Sequence, residues 1–88
     1  MDRLTMDGPL NRWLESRKLK PHELAAKANL HKSEICRARS GRQTFPQKLY
    51  AYWRATGVLE GDIIQMEAEQ EVLMSKRRRI AEAERRAA

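Results

Sequence analysis

Residues 19–41 read LKPHELAAKANLHKSEICRARSG, and the order of residue types in this stretch decides the fold. Pro21 suits the first position of a helix, because the N–H it lacks has no intrahelical partner to lose. Leu24 and Ala28 recur four residues apart and are expected to face inward. Asn29 tolerates the left-handed conformation that ends a helix, and Leu30 follows as an apolar plug. A second helix, predicted over 32–39, turns Ile35 and Ala38 toward the first, and Ser40-Gly41 stops it. The stretch is therefore two short helices joined by the tight turn Ala28-Asn29-Leu30. Ala25 is small enough to let the helices approach closely, with Leu24 and Ile35 meeting across their angle. The outer face of the second helix gathers Lys32, Ser33, Arg37 and Arg39.

The flanking spacing is helical as well. After the turn signal Gly8-Pro9, Leu10, Trp13 and Leu14 recur at i, i+3 and i+4, which predicts a helix over 10–18. Residues 42–45 form a polar loop, Pro46 starts a further helix carrying Leu49, Tyr52 and Trp53, and Gly57 closes it. From Glu60 the chain has no Pro and no Gly beyond Gly61, and it is rich in good helix formers. A long terminal helix is expected, with Glu60 and Asp62 at its positive end and Arg85 and Arg86 at its negative end. No stretch alternates as a half-buried strand would. The fold is expected to be all-α, a bundle of four to five helices with a long C-terminal helix. Residues 1–64 form the main unit and 65–88 a helical extension. Leu24, Ala25, Ile35 and Trp53 are core, and helical spacing makes Trp13, Tyr50 and Tyr52 packing residues rather than stacking platforms for bases.

Charge divides unevenly along the 88 residues. Residues 1–59 hold 12 basic and 5 acidic side chains, a balance of +7. Residues 60–75 hold five acids and no base, −5, and residues 76–88 hold six bases and two acids, +4. Such a surface approaches a polyanion with one part and repels it with another. With 34% of residues charged and 41% apolar, the chain is too small and too polar for a large catalytic core. No nucleophile, paired carboxylate or phosphate-cradling loop appears at suitable spacing, so no enzymatic activity is expected. No cofactor is expected, and no metal either: Cys36 is the single cysteine, and His31 and Cys36, five apart on one helix, do not share a face. No run reaches the ~18 apolar residues of a membrane span, and the start MDRLTMDGPL has no signal-peptide core. A cytoplasmic protein is expected.

The sequence Glu23-Leu24-Ala25, the apolar residue in the turn, the pattern Ser33-x-Ile35-x-Arg37-x-x-Ser40-Gly41 and Pro46 five residues later resemble the phage-repressor helix-turn-helix proteins of the Cro type. The resemblance covers Leu10 to about Ile64. It implies that helix 32–39 enters the major groove of double-stranded DNA, with Lys32, Ser33 and Arg37 matching the family's base-reading positions. Ser40, Arg42 and Thr44 match the stretch that grips phosphates, and the N-terminus of the preceding helix matches a further phosphate contact. The chain departs from the family at Lys20-Pro21, where many members carry a cap and a bracing Gln. It departs again at His31, a weaker cap whose ring is able to reach a phosphate, and at Arg39, where a Glu is frequent. A sequence-specific regulator of transcription is implied, of the repressor type and acting as a homodimer.

The C-terminal helix carries a heptad seam of Ile63, Met66, Gln70, Leu73, Arg77 and Ile80, four of the six apolar. Self-association through Ile63, Met66, Leu73 and Ile80 is expected, since an isolated helix of this length holds poorly in water. The other reading of the seam is that Ile63 and Met66 close the globular core while the rest projects into solvent. Lys76 to Arg79 reach DNA only if this helix folds back or lies near a groove. Two rival functions stand beside the repressor. The chain also resembles the lysogeny-establishment activators of lambdoid phages, which implies a tetramer on direct repeats. The second rival is an antitoxin-like adaptor whose terminal helix binds a protein partner.

Overall fold

The computed structural model describes residues 8–87, and these form five α-helices and no strand. They are α1 (Pro9–Arg17), α2 (Pro21–Lys27), α3 (Lys32–Arg39), α4 (Gln47–Ala55) and α5 (Glu60–Ala87). Residues 1–7 of the expected main unit and Ala88 of the extension lie outside the described residues. Among the described residues no helix is long and apolar enough to cross a membrane.

Each break has a local cause. Lys18 ends α1 in the left-handed region at φ 53°, and Leu19 N–H closes back on Leu14 O at 3.0 Å. Asn29, at φ 55°, makes the turn between α2 and α3 as its side chain allows, and Leu30 N–H donates to Ala25 O at 2.8 Å. Pro46 precedes α4 as its cap instead of opening it, with extended backbone that a proline adopts readily. Gly57, at φ 86°, lets Val58 N–H reach Trp53 O at 2.9 Å and close α4.

The core joins Leu10 and Leu14 of α1, Leu24 and Ala25 of α2, Ile35 and Ala38 of α3, Leu49 and Trp53 of α4, and Ile63 and Met66 of α5. Trp53 is its centre. The ring lies 5.7 Å from Trp13, 5.1 Å from Phe45 and 5.8 Å from Tyr50, each edge to face, an arrangement the ring quadrupoles favour. Tyr50 also donates from its hydroxyl to Glu67 Oε2 at 2.8 Å. Burial, then that hydrogen bond, pushes the Tyr50 hydroxyl well above its ordinary range.

The seam of α5 takes a different place from the one expected. Ile63, Met66, Gln70 and Leu73 are all buried within this chain, against the four-helix body. Three of the four residues assigned to self-association are thus interior residues, and only Ile80 is exposed. The same 3-4 spacing of apolar residues serves an intramolecular groove or a partner helix equally well, which is why spacing alone misdirects it. The expected boundary between 64 and 65 falls inside α5, which runs through it unbroken. Gly41 makes this packing possible: a Cβ built there would lie 2.6 Å from Leu73 Cγ and 3.2 Å from Arg77 Cδ, too close for any side chain. Its φ of 75° favours glycine independently.

Candidate nucleic-acid interface

Helix α3 has one buried and one open face. Ile35 and Ala38 are fully buried, while Lys32, Ser33, Cys36 and Arg37 are exposed on the opposite side. This alternation follows from the 3.6-residue turn, and it turns the three expected base readers outward together. Cys36 lies among them, exposed.

The start of α3 is built by His31. Its ring Nδ1 accepts from Ser33 N–H at 3.2 Å and lies 2.8 Å from Ser33 Oγ, while Glu34 Oε2 accepts from His31 N–H at 3.1 Å. An imidazole nitrogen replaces the usual hydroxyl as the cap acceptor. An accepting Nδ1 leaves the neutral ring's proton on Nε2, the nitrogen on the far edge of the ring. His31 is exposed, so this arrangement both caps α3 and offers an outward donor.

Arg37 is held in place. Its Nε–H donates to Gln43 Oε1 at 2.7 Å, which leaves both terminal nitrogens of the guanidinium as donors. Gln43 is held in turn: the buried Gln70 of α5 donates from Nε2 to Gln43 O and to Ala38 O, each at 2.8 Å. A chain of contacts thus runs from α5, through the loop after α3, to the outermost arginine of α3. Sequence reasoning missed both glutamines; the one available signal was a polar Gln70 at an apolar register position.

The remaining expected contacts divide. Arg42 and Thr44 are exposed on the loop. Ser40 is half-buried, and its hydroxyl donates to Arg37 O at 3.1 Å, closing the end of α3. Arg39 does not join the outer face: its Nε–H donates to Asn11 Oδ1 at 2.7 Å and ties α3 to α1. The N-terminus of α2 is poorly suited to a phosphate. Pro21 has no N–H, and the Glu23 carboxylate already accepts from Lys20 N–H at 3.1 Å, placing a negative charge where an anion would bind.

Beyond the body, α5 passes beside the loop. Gly41, Arg42, Met74, Arg77, Arg78 and Ile80 line an open groove of about 560 Å³. Arg77 and Arg78 of the basic run are therefore neighbours of Arg42 without any folding back of the helix. Among the described residues no group of three or more His, Cys, Asp or Glu side chains is placed to hold a metal ion. In comparisons with known proteins, no family model, curated protein or solved structure matches this chain.

Proposed function

We propose that this chain is a phage-repressor-like regulator of transcription that reads double-stranded DNA by inserting α3 into the major groove. The observation that carries this reading is the outer face of α3. Lys32, Ser33 and Arg37 are exposed together on a helix whose other face is locked into the core. The Arg37 guanidinium is pre-positioned by Gln43 with its paired terminal donors open. Paired donors match guanine O6 and N7, and Lys32 and Ser33 lie one turn earlier, toward the end of a recognition helix that contacts base edges. His31, Arg42 and Thr44 flank this face as donors to phosphate. No step of the function is chemical: the chain binds, and it does so without a cofactor.

A single short helix reads few base pairs, so two copies on one operator are part of the proposal. Since Ile63, Met66 and Leu73 are interior, the homodimer is assigned to the outer face of α5, where Ile64 and Val72 are 63% and 56% exposed. The helix is acidic over 60–71 and basic over 76–79 and 85–86. Two copies laid antiparallel set each acidic half against the other's basic half. Val72→Glu is expected to shift the sedimentation coefficient to that of a monomer; an unchanged dimer would place the interface elsewhere. The test of the function itself is selection of bound sequences from a random duplex pool. A recurring motif with two related half-sites is expected, and recovery of unenriched sequence would refute sequence-specific reading.

A further inference from the structure

The inward stripe of α5 does not end where the body ends. Ile63, Met66, Gln70 and Leu73 are buried, Arg77 is half-buried, and the same face continues through Ile80 and Ala81, which are exposed. Gly41 sets the distance, because the absence of a Cβ brings the Leu73 side chain and the Arg77 stem directly onto the loop. The result is the groove between the loop and α5, with Arg42 on one wall and Arg77 and Arg78 on the other. Met74, Ile80 and Ala81 supply apolar surface between them, and Glu84 is the one carboxylate among the described residues that line it.

We infer that this groove carries a stretch of DNA sugar-phosphate backbone beyond the segment read by α3. The inference rests on the reading of α3 as the recognition helix and extends it to a second element. Arg42 and Arg78 face one another as exposed cations across the groove, and like charges so placed favour an anion between them. The groove is open, and Arg42 and Arg78 are exposed side chains, so it suits an extended polyanion better than a small enclosed one. Deoxyribose faces provide apolar surface for Met74 and Ile80 between phosphates. The ten residues after Arg77 up to Ala87 span ~15 Å at 1.5 Å per residue. That length matches the rise of about four base-pair steps at ~3.4 Å, so α5 lengthens the footprint on the outer flank of each half-site.

The test uses the full chain with Arg78→Ala and Arg77→Gln, singly and together. Arg77→Gln keeps the stem that packs on Gly41, and circular dichroism melts check that both variants fold. Binding is measured by fluorescence anisotropy across a salt series, on the selected duplex and on duplexes trimmed outside the α3 footprint. Each lost phosphate contact is expected to lower the slope of log K against log salt by about 0.9, on specific and scrambled sequence alike. Trimming about four base pairs of flank is expected to weaken the parent and leave the double variant indifferent. Unchanged slopes with an unchanged response to trimming would overturn the groove, while loss of site preference in Arg37→Ala would leave the reading by α3 standing. A change in sedimentation without a change in slope would also overturn it, assigning the groove to a second copy of the chain. If the parent binds no duplex at all, both the groove and the reading by α3 fall.

Discussion

Replacing Gln70 by Met tests whether a buried amide holds the loop beside α3. The side chain is only 2% exposed, donates to Ala38 O and Gln43 O, and leaves its own Oε1 buried without a partner. Met has similar length and no polar atom, so the substitution removes the hydrogen bonds with little change of volume. Ala38 O keeps Gly41 N–H at 3.2 Å, so losing that contact costs about 1 kcal/mol, the usual net value of a neutral bond. Gln43 O, part-buried, loses its Gln70 donor, which costs about 1–3 kcal/mol. Removing the unpartnered Oε1 returns about 1 kcal/mol. The net loss is about 2 kcal/mol, or a fall in Tm of roughly 8–16 °C for a domain of this size. Urea unfolding followed by circular dichroism reads it, with an unchanged slope against denaturant showing that the two states are the same. A midpoint equal to or above the parent's would refute the reasoning, because the amide would then be a burden on the core and not a tie.

Leu73→Ala is expected to lower stability by about 2–5 kcal/mol, the range for emptying a buried leucine site, with no change in oligomeric mass at low temperature. A monomerised but equally stable variant would mean that Leu73 faces a partner. Gln43→Ala frees the Arg37 guanidinium, and it is expected to cut preference for one base position by a few-fold while leaving non-specific binding intact; equal loss on all sequences would assign Gln43 to the fold alone. The raised Tyr50 hydroxyl means that the unfolded chain releases this proton at lower pH than the folded one. Its contribution to stability is therefore complete below pH ~10, the ordinary tyrosine value, and is lost as pH climbs above that toward the folded value. The parent should lose stability more steeply above pH 10 than Tyr50→Phe, and parallel curves would contradict the burial and the Glu67 hydrogen bond that together raise this hydroxyl.

Local chemistry made much of this fold legible in the sequence. Pro21, Asn29 and Gly57 act within two or three residues of themselves, so their reading as helix start, left-handed turn and stop holds in the structure. The 3.6-residue period also places Ile35 and Ala38 inward and Arg37 outward without knowledge of any neighbour. What fails is the inference about which surface the seam of α5 meets. Leu73 belongs to an apolar stripe under any reading, but only the missing Cβ of Gly41, 32 positions earlier, shows that the stripe is filled from within. Gln70 looks like a flaw in a heptad, yet it is the residue that bonds the Ala38 carbonyl of α3 and the Gln43 carbonyl of the loop. Gln43 braces Arg37 across a loop whose path no periodicity specifies, and Arg39 reaches Asn11 across 28 positions.

The central claim, that α3 reads bases through Arg37, is tested most directly by comparing Arg37→Ala and Arg42→Ala with the parent on the selected duplex and on a scrambled one at fixed salt. A bidentate contact to guanine discriminates by about 1–3 kcal/mol, roughly 5- to 150-fold. Arg37→Ala is expected to lose that factor on the selected duplex only, whereas Arg42→Ala, as a phosphate contact, weakens both duplexes alike. Loss of affinity by the same factor on both duplexes for Arg37→Ala would contradict the account, because α3 would then be an anchor and not a reader.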